Sequence, residues 1–196
     1  MKMRNRNILR RLCLWAGAAL VLIAGVTLAL WLREIHNSRE ITADRVHTLQ
    51  MLMPAPRGAF PEERQNNEMP AVSLEGTDFI GLLELPRYGS TLPVCSQWGA
   101  FSPYPCRLGG SLYDGSLQIG GSTRAGQYDF YREISVGDMV YFTDMTGNRY
   151  SYVVKEIRYE KHADQTALTS VPAALTLFLK NDYAFEYIMI FCDFSS

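Results

Sequence analysis

The chain has 196 residues, enough for one domain with an appendage. Its composition, with 47% hydrophobic and 20% charged residues, excludes a protein that is disordered throughout. The first 32 residues hold five of the 19 basic residues and no acidic one, which leaves 14 basic against 20 acidic residues, a formal charge of −6. Such an acidic remainder lacks the clustered lysines and arginines of nucleic-acid binders, so we expect no nucleic-acid partner.

The amino-terminal segment predicts a membrane anchor. Residues 1–11 are a basic tail, and residues 12–32 are a run of 21 residues without a charge. A helix of that length spans about 30 Å, the thickness of a bilayer core. The preceding charges predict that the tail stays in the cytoplasm and the rest of the chain is exported. The alternative is a cleaved signal peptide, but those have shorter apolar cores and small residues at the cleavage site, whereas this run ends in large apolar residues.

Residues 33–76 are predicted to connect the anchor to a folded domain. Apolar positions such as Val46 and Leu49 have loosely helical spacing, which predicts a helical stalk. The prolines that follow predict an extended linker up to residue 76. The folded domain is therefore predicted to occupy residues 77–196.

The predicted domain is rich in short strands. Val140 and Phe142 alternate with Met139 and Tyr141, as a half-buried strand requires. The predicted strands are residues 79–85, 92–95, 117–121, 138–144, 149–159, 173–179 and 186–191, with a hairpin turn at 145–148 and one helical turn at 129–134. Many short strands with turns between them predict a mainly β fold, either a closed barrel or a sandwich.

Five short motifs follow one another between residues 80 and 192. They are Gly81-Leu82-Leu83-Glu84-Leu85-Pro86, Leu92-Pro93-Val94, Pro105-Cys106-Arg107, Gly137-Asp138 and Leu175-Thr176-Leu177-Phe178. Their order and spacing behind an amino-terminal anchor resemble a class B-like sortase of the clostridial type, a cysteine transpeptidase of Gram-positive cell surfaces. The resemblance implies a sortase-type closed β-barrel of about eight strands with short helices, facing the cell wall.

The resemblance also implies an active site, and all three of its residues are changed in this chain. A sortase uses a cysteine thiolate as nucleophile, a histidine for proton transfer and an arginine to stabilise the oxyanion. By the resemblance, Ser122 replaces the histidine, Lys180 replaces the cysteine and Tyr187 replaces the arginine. We therefore expect a catalytically degenerate protein, a pseudosortase.

The same three positions leave an enzymatic alternative open. Serine and a neutral lysine are a workable nucleophile and base, so Ser122 and Lys180 would serve an acyltransferase or hydrolase, with Tyr187 as a nearby donor. That chemistry needs burial to lower the lysine pKa from about 10.4 toward neutrality, whereas Asp182 would favour the charged form. We expect Lys180 to face solvent or to form a salt bridge.

The cysteines predicted to be exported are Cys95, Cys106 and Cys192. We interpret them as small buried hydrophobes and not as a relocated active site. Cys95 and Cys106 are close enough in sequence for a disulfide, which export would permit, although spacing alone does not fix the geometry. The glycine pairs lack phosphate-loop context and the aspartates lack calcium-loop spacing, so we expect no cofactor and no metal.

Together these features predict a single-pass cell-membrane protein with an extracellular β-barrel. Its predicted role is accessory, in protein sorting at the cell wall. It would bind a sorting-signal peptide, a pilus or cell-wall protein, or an active sortase. A purely structural surface module is the remaining alternative.

Overall fold

The computed structural model describes residues 2–59, 68–99, 102–162, 172–181 and 183–195. The chain divides into two compact units, residues 1–37 and residues 38–196.

The first unit is the amino-terminal part of helix α1 (Lys2–Leu52). From Trp15 onward this helix is long and apolar enough to cross a membrane. Large side chains such as Leu22 and Trp31 are exposed on it, which suits a helix surrounded by lipid. The predicted amino-terminal apolar helix is therefore present, and its orientation across a membrane stays a prediction.

The described residues of the second unit contain ten β-strands. In chain order they are β1 (Arg57–Gly58), β2 (Val72–Leu74), β3 (Thr77–Leu85), β4 (Ser90–Cys95), β5 (Cys106–Gly109), β6 (Leu117–Ser122), β7 (Met139–Asp144), β8 (Asn148–Glu160), β9 (Leu175–Asn181) and β10 (Glu186–Phe194). The short 3-10 helix Pro86–Tyr88 follows β3, and a second one, Tyr131–Glu133, precedes β7.

Eight of these strands close into a barrel. The hydrogen-bonded order is β3, β4, β5, β6, β9, β10, β8 and β7, and β7 pairs back with β3. The β4–β5 and β6–β9 pairs are parallel, and the other pairs of the ring are antiparallel. The predicted closed barrel is confirmed and the sandwich alternative is wrong, because β7 pairs with both β3 and β8 and so closes the ring of strands.

The barrel interior is filled by alternate apolar residues of its strands. Leu117 of β6 lies opposite Leu175 of β9, and Ile119 lies opposite Leu177; all four are fully buried. Register partners point to the same face of a sheet, so these side chains meet in one core. Burying each of them stabilises the fold by about 1.5 to 3 kcal/mol.

The end of α1 packs against the barrel within the second unit. Leu49 is fully buried in a second apolar cluster, with Phe79 and Leu82 of β3. Nearby, the Thr42 hydroxyl donates a hydrogen bond of 3.0 Å to the carbonyl of Gly126. Residues 33–52, predicted as a helical stalk, belong to α1. Its last turns cover apolar side chains of β3 in this second cluster. The domain boundary at residue 77 stays a prediction.

Candidate functional site

Three strands bring Ser122, Lys180 and Tyr187 into one row. Ser122 ends β6 and lies opposite Lys180 of β9, which in turn lies opposite Tyr187 of β10. The carbonyl of Lys180 accepts a hydrogen bond of 3.1 Å from the amide of Thr123, which holds the ends of β6 and β9 together. Because register partners share a face, the three side chains are neighbours on one surface. We call them the site row.

The site row lies on the outer face of the barrel. Along β9 the residues alternate, so that Leu177 and Leu179 enter the core while Phe178 and Lys180 point away from it. Phe178 is half-buried, and its ring stacks on Tyr187 with centroids 5.2 Å apart and planes at 19°. Aromatic pairs of this kind contribute about 0.5 to 1.5 kcal/mol beyond the area that they bury. Tyr187 is therefore held by packing against its neighbour.

Gly120 lets the segment after β4 approach this face. A Cβ on Gly120 would lie 2.7 Å from the Trp98 ring and 2.8 Å from Leu108 Cγ, closer than real contacts allow. A side chain at residue 120 would force Trp98 and Leu108 to shift, so glycine lets both of them lie over the β6 backbone. Gly120 lies opposite Phe178 in the register. Trp98, Leu108, Phe178 and Tyr187 form an apolar surface beside Ser122 and Lys180, which we call the apolar shelf.

Gln127 fixes the backbone of Ser122. The Ser122 amide donates a hydrogen bond of 2.8 Å to Gln127 Oε1, and Gln127 Nε2 donates one of 3.3 Å to the carbonyl of Ser102. The Ser122 carbonyl accepts a hydrogen bond of 3.1 Å from the Tyr128 amide. Gln127 is buried, so these bonds are shielded from water. One side chain thus ties the end of β6 to the segment that follows Trp98.

The Ser122 hydroxyl lacks the neighbouring base that a serine nucleophile needs. Its Oγ is buried and has no hydrogen-bond partner among the described residues, so it makes none with Lys180. Lys180 is exposed. A serine nucleophile needs a base within hydrogen-bond reach, and a lysine base needs burial to lose its proton. Asp182, expected to favour the charged lysine, lies outside the described residues.

None of the cysteines among the described residues belongs to the site row, although Cys106 of β5 lies opposite Gly120 of β6. Cys95, Cys106 and Cys192 are buried free thiols, and Cys192 belongs to the barrel core, where burial raises its pKa. His162 is exposed beyond the end of β8. Over the described ranges, no group of three His, Cys, Asp or Glu side chains could hold a metal ion.

Sequence reasoning missed Gln127, Trp98 and Ser102 as neighbours of the site. The available signal was the Gly120-Gly121 pair, because glycine inside a strand often marks a close approach of another segment. A Cβ on Gly121 would lie 2.5 Å from the Tyr128 ring, so both glycines have this role. The sequence does not say which residues make the approach.

The closed eight-stranded barrel and the helix before it define the architecture of a sortase. Sortase C1 from Streptococcus agalactiae has 18% identity and a TM-score of 0.53, over 63% of this chain and 71% of that one. A Sortase D5 transpeptidase from Clostridium perfringens has 15% identity and a TM-score of 0.52, over 66% and 83%. Sortase A from Corynebacterium diphtheriae has 18% identity and a TM-score of 0.50, over 61% and 62%.

No protein-family model matches the sequence, and no curated protein does. At such identities the structural likeness establishes the fold and leaves the activity open. The chain has the sortase fold, as its motifs predicted.

Proposed function

We propose that this protein is anchored in the cell membrane by α1, faces outward, and acts as a pseudosortase. Its apolar shelf binds a sorting-signal peptide without cleaving it, as an accessory in the sorting of cell-wall or pilus proteins, beside an active sortase. The observation that carries this proposal is the site row itself. By the resemblance, the Ser122 hydroxyl stands where a sortase has its imidazole, the exposed Lys180 amine stands where it has its thiolate, and the stacked Tyr187 phenol stands where it has its guanidinium.

The loss of each catalytic group has a physical cost. A lysine at the position that the resemblance gives to the cysteine has no sulfur with which to form the thioester intermediate of a sortase. Ser122 cannot take the place of an imidazole, and a phenol brings no positive charge to an oxyanion. Each change alone lowers the rate by about a hundredfold or more. Cys95, Cys106 and Cys192 do not compensate, because they are buried and none of them belongs to the row.

The test is binding without turnover. A fluorescent sorting-signal peptide containing a Thr–Gly bond is added to the detergent-solubilised full chain, with anisotropy as the binding readout and mass spectrometry as the cleavage readout. We expect saturable binding, weakened about tenfold by Phe178→Ala, with no cleavage. Tyr159→Ala is the matched control, because Tyr159 is an exposed aromatic residue on β8.

Two outcomes would contradict the proposal. Peptide cleavage that disappears in Cys95→Ala, Cys106→Ala or Cys192→Ala would show that the protein is an active cysteine transpeptidase. If the protein does not bind the peptide although circular dichroism shows that it is folded, the alternative of a purely structural surface module would be favoured.

A serine enzyme is the second candidate, because the buried Ser122 hydroxyl stands beside Lys180 and has no hydrogen-bond partner among the described residues. An acyltransferase or hydrolase would need Lys180 to lose its proton in the substrate complex. A fluorophosphonate probe at neutral and mildly alkaline pH tests this. We expect no labelling. Labelling that vanishes in Ser122→Ala and weakens in Lys180→Met would replace the pseudosortase proposal with this enzyme.

A further inference from the structure

Cys95 and Cys106 are direct register partners. Cys95 ends β4, Cys106 begins β5, and their pairing is parallel. Neighbouring strands lie about 4.8 Å apart, and paired residues share a face. The Cα atoms of disulfides are usually about 4.4 to 6.8 Å apart, so strand pairing alone brings these two residues into bonding range.

Both thiols have polar neighbours in the residues just before β5. The neighbouring Cys95 lowers the pKa of Cys106 against the opposing effect of burial. Cys106 Sγ donates to the carbonyl of Tyr104 at 3.4 Å, and Cys95 Sγ lies 3.5 Å from Ser102 Oγ.

We propose that Cys95 and Cys106 are joined by a disulfide in the mature protein. The outward orientation, on which this inference rests, belongs to the proposed function, because disulfides persist in oxidising compartments. The oxidant is a disulfide, either of a thiol–disulfide oxidoreductase or of a small molecule. The Cys106 thiolate attacks one of its sulfurs and expels the other as a thiolate.

The second step completes the bond. Cys95, deprotonated, attacks the Cys106 sulfur of the mixed disulfide and expels the remaining oxidant sulfur as a thiolate. Two electrons and two protons leave the cysteine pair, and the oxidant disulfide becomes two thiols. Since both cysteines are buried in the folded chain, this exchange takes place during folding, before the two thiols are buried.

The bond would restrain the segment that builds one side of the candidate site. Between the two cysteines, Trp98 covers Gly120, and the Ser102 carbonyl accepts the hydrogen bond from Gln127. Gln127 in turn holds the amide of Ser122. A disulfide closes this segment into a ring, so Trp98 and Ser102 lose freedom in the unfolded chain and stay beside the site row in the folded one.

The first experiment detects the bond in the full chain as isolated from cell membranes. Free thiols are blocked with N-ethylmaleimide in denaturant, and the protein is digested and analysed by mass spectrometry without reduction. We expect one linked peptide pair containing Cys95 and Cys106, lighter by two hydrogen atoms than the two thiol peptides, while Cys192 carries maleimide. Cys192→Ala should keep the linked pair, and Cys106→Ser should remove it and leave Cys95 labelled.

A second sample separates this inference from the proposed orientation. The purified full chain is unfolded, reduced and refolded in a mixture of oxidised and reduced glutathione. If the linked pair is absent from cells but forms in glutathione, the outward orientation fails and the pairing geometry stands. If Cys95 and Cys106 carry maleimide in both samples, the disulfide itself is wrong.

The third measurement addresses the restraint. The oxidised chain should melt about 5 to 10 °C above the reduced one, and Cys95→Ser should abolish the difference. Equal melting temperatures in a chain with the linked pair would show that the bond does not restrain the segment.

Discussion

The two faces of β6 and β9 obey different constraints. On the inner face, Ile119 and Leu177 lie opposite each other with no exposed surface. On the outer face of the same two strands, Ser122 and Lys180 also lie opposite each other, one half-buried and the other exposed. Both pairs satisfy the same backbone hydrogen-bond ladder. Only the inner pair is needed to fill the barrel.

This difference means that the two faces of the barrel tolerate substitution to different degrees. Core positions tolerate substitution only by residues of similar volume, because voids and overpacking both destabilise the fold. Outer positions near the end of a strand contribute little to the core, so packing does not restrict which residues can occupy them. At 15 to 18% identity to solved sortases, the barrel is retained and the site row carries no cysteine, histidine or arginine.

The largest loss of stability is expected from a substitution on the inner face of the barrel. Leu177→Ala should lower the free energy of unfolding by about 3 kcal/mol, because it leaves a cavity among fully buried residues. Lys180→Ala, three residues along the same strand, is the matched control and should change stability by less than about 0.5 kcal/mol. Urea denaturation of the full chain, followed by circular dichroism, measures both. Similar losses in the two variants would show that the outer face supports the fold as much as the inner one.

Periodicity in the sequence predicted most of the barrel. Seven predicted strands correspond to β3, β4, β6, β7, β8, β9 and β10, and the helical turn expected near residue 131 is the 3-10 helix Tyr131–Glu133. The missed strands are β1, β2 and β5, which have two, three and four residues. Strands this short cannot show a period of two. β5 also lies between prolines and glycines, which predict a loop.

The site was predictable only in part. Ser122, Lys180 and Tyr187 were chosen from motifs and fall in one row, but their chemical role remains a prediction. Partners from distant segments, such as Gln127 and Trp98, depend on loop packing that no local pattern encodes. The pairing of Cys95 with Cys106 likewise needed the register of β4 and β5. Sequence patterns indicate which residues form strands, whereas the pairing of strands decides which residues become neighbours.

Asp138 makes polar contacts at the barrel rim, and we expect their loss to have an intermediate effect on stability. Burial alone raises the pKa of Asp138, but hydrogen bonds from Tyr88, the Ser135 amide and Arg87 outweigh it and lower the pKa below the usual 3.8. A carboxylate with a lowered folded-state pKa stabilises the protein above its unfolded-state pKa. That contribution is lost as the pH falls through the folded-state value.

Asp138→Asn should therefore lower the free energy of unfolding by about 2 kcal/mol at neutral pH. The difference from the unaltered chain should stay constant down to about pH 5 and shrink below about pH 4, where the native carboxylate also becomes protonated. Urea denaturation at a series of pH values measures it. A difference that did not change between pH 7 and pH 3 would mean that the carboxylate charge is not what stabilises the rim.

The smallest effect is expected in the site row itself. Tyr187→Ala should cost about 1 kcal/mol, because it removes the stack on Phe178 but opens no cavity in the core. Tyr187→Phe keeps the ring and should cost less than about 0.5 kcal/mol, since a half-exposed hydroxyl can bond to water. The two variants separate packing from hydrogen bonding at one position, and both are read by urea denaturation. If Tyr187→Phe cost as much as Tyr187→Ala, the hydroxyl would have a buried partner, and the row would be a structural element of the barrel instead of a surface that is free to diverge.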